Sequence, residues 1–224
     1  MAESDPDAKE PRNVLSRVAL SEQIKEFIVE RILDGEWKPG QQVVESALAR
    51  ELGVSQAPVR EAVRDLTLLG FLKTQPYKGT FVHSFSAEEL YEVYTVRAAL
   101  EALAARTAAG RMTAESAQRL REILDRMIEA ARRGDGNEMA RLDNKFHETI
   151  MLISGNKLLH QLWSTLRFGY WTIATTRISG MDLEYLATRH EELLQALAGG
   201  DPDEAAGAMQ RHIEELGKPP ETDV

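Results

Sequence analysis

Residues 39–72, PGQQVVESALARELGVSQAPVREAVRDLTLLGFL, followed by residues 76–82, PYKGTFV, decide the fold. A Pro39-Gly40 turn opens the stretch, and a short helix over residues 45–52 follows, with Leu48 and Leu52 one turn apart. Gly53 stops it. Ser55 then stands where a capping hydroxyl belongs, ahead of a longer helix whose inward face is Val59, Val63, Leu66 and Leu69. Two helices joined by a three- or four-residue turn containing Gly make a helix-turn-helix. After Gly70 the period changes from helical to extended. Residues 71–75 and 80–82 flank the turn Pro76-Tyr77-Lys78-Gly79, which predicts a hairpin directly behind the second helix, the position of a wing.

Upstream, Leu20, Ile24, Phe27, Ile28, Ile32 and Leu33 form a helical stripe, and residues 1–13, rich in Pro and charge, read as a disordered tail. Downstream, the chain reads as helix throughout. Ser86 stands three residues before Glu89, a capping box. Thr113 precedes a helix over residues 114–133, Gly134 and Gly136 break the chain, and further helices are expected over 138–153, 157 to about 178, and 181–197. Asp201-Pro202 opens the last, with a cap and a first-turn proline. The sequence therefore predicts a mainly α protein: a tail (1–13), a winged helix-turn-helix domain (14–84), an all-helical bundle (85–218) and a second tail (219–224).

The 224 residues, 43% of them hydrophobic, suit two small packed domains. No run of about 18 apolar residues is present, so no membrane partner is expected, and a cytoplasmic location fits. With no cysteine, thiolate chemistry is excluded, and any metal site must use imidazole and carboxylate. The net charge of −9 runs against a nucleic-acid binder, but it is unevenly placed. Residues 14–83 hold nine basic and nine acidic side chains, residues 84–224 hold 16 and 23. A neutral DNA-binding domain must draw its affinity from a few well-placed contacts, doubled by dimerisation.

Gln56, Arg60 and Arg64 recur every four residues and share one face of the second helix, opposite its apolar anchors. An arginine can bond guanine through two donors and a glutamine adenine, each worth about 1–3 kcal/mol of discrimination. Lys78 and Gly79 at the wing tip suit close approach to phosphate or the minor groove. The competing reading of Arg60 and Arg64 is ordinary surface pairing with Glu61, Asp65 or other acids. In the order of its elements, this region resembles the GntR family of bacterial repressors from beginning to end. The resemblance implies that Arg60 contacts DNA, with Gln56 near the helix start and Gly79 at the wing tip. The family often has Arg where Gln56 stands, so the operator sequence is expected to differ.

In the second half, Asp143 and His147 lie one helical turn apart, as a carboxylate and an imidazole sharing one ion must. His190 and His212 sit in the last two predicted helices, while His83 and His160 read as structural. Trp163 and Trp171 read as core or pocket wall. The segments YTVRAALEALAA (94–105), DNKFH (143–147), Arg189-His190 and GDPDEAAGAMQRHI (200–213) resemble the helical FCD effector domain of the FadR-type branch of that family. The resemblance implies a divalent metal on Asp143, His147, His190 and His212, zinc first, with nickel, manganese or cobalt as alternatives. It further implies a small carboxylic-acid effector beside the metal and a homodimer on double-stranded operator DNA. Arg97 is expected either to meet the effector or to pair with Glu101 four residues on. A metallohydrolase is the rival class, but no HExxH pattern and no placed general base support it. A metal serving structure alone is a third reading.

Overall fold

The computed structural model describes residues 14–166, 168–169, 171–172 and 181–217. The tails expected at 1–13 and 219–224, and the end of the helix expected to reach about residue 178, lie outside them. The chain divides between Ser84 and Phe85 into two compact units.

The first unit holds α1 (Val14–Leu33), β1 (Gln42–Val43), α2 (Glu45–Glu51), α3 (Gln56–Leu68), β2 (Leu72–Gln75) and β3 (Gly79–Val82). Val59, Ala62, Val63 and Leu66 form the buried side of α3, and Ile24, Ile28 and Val29 that of α1, which packs against it. Full burial of such side chains contributes about 1.5–3 kcal/mol each, which fixes the roll of α3 about its own axis. Lys25 adds a polar tie. Its buried ammonium lies 2.8 Å from Glu22 and 3.0 Å from Asp65 of α3, the pairing a desolvated charge requires.

The wing has three strands rather than the two read from sequence, antiparallel in the order β1-β3-β2. The extra strand pairs Gln42 with Phe81 and Val43 with Thr80. Two residues cannot display an alternating pattern, so β1 left no periodic signal.

The second unit is helical: α4 (Ala87–Ala109), α5 (Ala114–Arg132), α6 (Gly136–Ser154), α7 (Lys157–Leu166), α8 (Leu183–Thr188), α9 (His190–Gly199) and α10 (Pro202–Gly217). The Ser86–Glu89 capping box forms in both directions, the Ser86 hydroxyl accepting from the Glu89 N–H at 3.1 Å and the Glu89 carboxylate from the Ser86 N–H at 2.9 Å. Asp135 and Asp182 cap α6 and α8 in one direction only, each carboxylate accepting the backbone N–H three residues on, at 3.0 and 2.8 Å. The most extensive helix contact joins α4 to α10, where the buried residues include Ala98, Ala105 and Ala108 on one side and Ala205, Ala208 and Ile213 on the other. Small side chains let the two axes approach closely. A single helix is expected over 181–197; the structure has two, with Arg189 at the joint. The guanidinium of Arg189 holds that joint to α10, donating to the His212 carbonyl at 2.6 Å and to Glu215 at 2.8 Å.

Candidate DNA-reading face and metal centre

The outward face of α3 follows from its inward one. With Pro58, Val59, Ala62, Val63 and Leu66 buried, Gln56, Arg60 and Arg64 are left together on the exposed side. Both arginines have acidic neighbours, but loosely. Arg60 Nε is 3.4 Å from Glu45, and Arg64 Nη2 is 3.8 Å from Asp65. Such pairs between exposed side chains contribute little, so both guanidinium groups can turn to another acceptor. At the wing tip, Lys78 and Gly79 are exposed. Gly79 has φ 107°, and a Cβ there would lie 2.7 Å from Nε2 of Gln42, the same amide that donates to the Lys78 carbonyl at 2.9 Å. Glycine at this position thus lets β1 clamp the turn. Tyr77 beside it is fully exposed with φ 63°, a solvent-facing aromatic at the tip that the sequence did not single out.

In the second unit, α6 carries Asp143 and His147 on its buried face, the start of α9 supplies His190, and α10 supplies His212. The three histidines each offer a ring nitrogen within 4.8 Å of the others. Nε2 of His190 is 3.3 Å from Nε2 of His147 and 3.1 Å from Oδ1 of Asp143, which is itself 3.8 Å from Nε2 of His147. The four residues separated by up to 69 positions in sequence are therefore gathered at one buried point. Phe146 packs edge-on against His190, giving the cluster an apolar wall.

Arg97, 1% exposed, reaches the same point from α4. It does pair with Glu101, Nε donating at 2.7 Å, and Nη1 donates to Thr172 at 2.7 Å. Its Nη2 lies 3.7 Å from Oδ2 of Asp143, too far for a hydrogen bond. Glu101 is the residue sequence reasoning passed over. It is buried, accepts from Nε1 of Trp163 at 2.7 Å, and approaches Nδ1 of His147 to 2.5 Å. Its only sequence signal was its place one turn after Arg97.

The electrostatics are those of a closed charge cluster. Burial opposes ionisation of Glu101, but Arg97 and His147 outweigh it and hold the carboxyl down at about 2. Burial likewise opposes the charge on Asp143, and His147, His190 and Arg97 together draw its pKa well below the usual carboxylate range. Desolvation pushes His212 well down and His190 down, the latter against the pull of Asp143. Neutral imidazoles beside ionised carboxylates are the protonation states of a metal-ligand set.

A divalent ion fits these residues. Oδ2 of Asp143 is buried with no hydrogen-bond partner, and two imidazole Nε2 atoms face each other at 3.3 Å, a contact that asks for a shared cation or proton. Among the described residues no helix is long and apolar enough to cross a membrane.

Comparison with known proteins agrees with this architecture. Residues 20–82 match the model for bacterial regulatory proteins of the gntR family, and residues 92–215 match the FCD domain. The chain is 34% identical over 199 residues to the "Probable D-xylose utilization operon transcriptional repressor" of Paenarthrobacter nicotinovorans, covering 89% of this chain and 88% of that one. It is 32% identical over 182 residues to the Nta operon transcriptional regulator of Aminobacter aminovorans, covering 80% and 83%. The fold is shared with E. coli McbR/YncC, with a TM-score of 0.69 at 24% identity over 88% of this chain and 96% of that one. These relatives are transcription regulators, not enzymes. A gntR-type winged helix followed by an FCD effector domain places this chain in the GntR family of bacterial transcription regulators, in its FadR-type branch.

Proposed function

We propose that this regulator represses transcription by binding double-stranded operator DNA as a homodimer, and that a small organic acid bound beside a divalent metal sets its operator affinity. Gln56, Arg60 and Arg64 read base edges in the major groove, and Lys78 and Gly79 approach the DNA backbone or minor groove. Asp143, His147, His190 and His212 hold the ion, and Arg97 meets the carboxylate of the acid through the donors that Glu101 and Thr172 do not use. Zinc is the first candidate, with nickel, manganese and cobalt as alternatives. When bound, the ion supplies a Lewis-acidic positive charge that attracts an anionic oxygen.

The observation that supports this reading is the donor set. Three imidazoles and the Asp143 carboxylate meet at one buried point, and Oδ2 of Asp143 has no hydrogen-bond partner there. A divalent ion would add positive charge near the Arg97 guanidinium, which favours an anionic oxygen as a further ligand. The acid is therefore expected to bind the metal-loaded form in preference to the stripped one.

The test is metal analysis of the untagged protein, followed by thermal-shift screening of small carboxylic acids on loaded and stripped forms. Each form is then titrated by fluorescence anisotropy onto duplexes selected from a random library. One ion per chain is expected, together with an acid-specific shift confined to the loaded form. Operator affinity should then change by roughly five- to 150-fold, a typical coupling of about 1–3 kcal/mol. Absence of bound ion under replete conditions refutes the metal centre. A loaded protein indifferent to every acid assigns the metal a structural role alone.

A further inference from the structure

We infer that Glu101 is a positioning residue of the metal centre, fixing His147 in the tautomer that carries its proton on Nδ1 and leaves Nε2 bare for the ion. The inference rests on the metal reading above. The two nitrogens of an imidazole lie on different edges of the ring, and the hydrogen bond made by one decides which of them is free to ligate. At His147 the two edges of the ring face different groups. Nδ1 faces Oε2 of Glu101 at 2.5 Å, while Nε2 faces His190 and Asp143 at 3.3 and 3.8 Å.

His190 shows the same polarity by a different means. Its Nδ1 is 3.1 Å from the Ala187 carbonyl, and its Nε2 points into the cluster. Ala187 lies near the end of α8, where its carbonyl also takes the Arg189 N–H and keeps a second lone pair for the ring. The neighbour of His147 is instead the middle of α4, whose carbonyls are committed to the helix, so only a side chain can supply an acceptor there. Glu101 supplies it. Oε1 accepts from Arg97 and Trp163, each at 2.7 Å, which holds the carboxylate from α4 and α7. Oε2 makes no aligned hydrogen bond and lies 2.5 Å from Nδ1 of His147, which has no other hydrogen-bond partner, so the two are left to each other. A small turn of the ring aligns the pair, and one carboxylate then orients both a ligand and Arg97.

Outer partners of this kind typically alter metal affinity by 10- to 100-fold, and that range sets the expected effect. Cobalt(II) is titrated into stripped wild-type and Glu101→Gln proteins and followed by its visible absorption. Glu101→Gln is expected to weaken the cobalt dissociation constant by about 10- to 100-fold. Failure of the wild type to take up cobalt overturns the metal centre itself. Uptake by the wild type with Glu101→Gln within about threefold of it overturns the role of Glu101. Because Glu101→Gln also removes a partner of buried Arg97 and can fail to fold, a second measurement uses the wild type alone. Long-range 1H–15N spectra of the zinc-loaded protein are expected to show His147 protonated on Nδ1. A proton on Nε2, or zinc on Nδ1, overturns the inference.

Discussion

Arg60→Ala separates base reading from simple electrostatic attraction. The Arg60 side chain is 68% exposed and its ion pair with Glu45 is long at 3.4 Å, so truncation should change folding stability by no more than about 0.5 kcal/mol. Its effect on DNA is different. A bidentate arginine–guanine contact is worth about 1–3 kcal/mol, and the proposed homodimer would lose it in both half-sites, about 2–6 kcal/mol in all. That corresponds to a roughly 30- to 20,000-fold loss of affinity for the selected operator. Binding to an unrelated duplex, carried by phosphate contacts, should weaken far less, so the ratio of specific to non-specific affinity collapses. The assay is fluorescence anisotropy on both duplexes at one fixed salt concentration, with thermal midpoints to confirm folding. Equal losses on the two duplexes would recast Arg60 as a phosphate contact. An unchanged operator affinity would remove α3 as the reading helix.

Three further perturbations follow from the geometry. His147→Ala should abolish stoichiometric cobalt uptake and, by truncating a fully buried ring, lower stability by about 0.5–3 kcal/mol; retained stoichiometry excludes His147 from the site. Gly79→Ala forces φ 107° on a residue with a Cβ and crowds Gln42, at a cost of about 1–3 kcal/mol, so the thermal midpoint and operator affinity should both fall; wild-type values for both would show that the clamp is slack. In the metal-free protein, His190 and His212 are held below the ordinary imidazole value, mainly by burial, while His147, Arg189 and Arg97 also bear on His212. The unfolded chain therefore takes up more protons below about pH 6.5, and stability should be full above that and decline as pH falls towards the folded values. Urea midpoints at about pH 7.5 and 5.5 measure this, and equal midpoints would contradict neutral buried imidazoles.

The parts of the fold that could be read from sequence are those in which a local pattern repeats. The inward residues of α3 recur on a helical period, the switch after Gly70 marks the wing, and the Ser86–Glu89 box announces α4 by the bonds it forms. Helical spacing puts Asp143 and His147 on one face, but only the resemblance to the FCD domain joined them to His190 and His212 as a ligand set. Strand β1 was not legible, being too short to alternate. Glu101 was hidden for another reason: four residues after Arg97 it looks like one more surface ion pair, and only packing shows it buried against His147 and Trp163, residues 46 and 62 positions further along the chain. The joint at Arg189 is likewise tertiary, since its guanidinium is held by α10 rather than by neighbours in sequence.

If the proposed metal centre holds, the buried cluster of Arg97, Glu101, Asp143 and the three histidines also bears on how long the regulator survives in a cell. An ion that binds the folded chain and not the unfolded one stabilises it by mass action, and proteases act on whatever fraction is open. A chain that closes this cluster without an ion, leaving Oδ2 of Asp143 without a hydrogen-bond partner, would be open to them more often. Scarcity of the ion would then lower the number of regulator molecules per cell, and promoter occupancy would follow ion supply through turnover, on a slower clock than any ligand response.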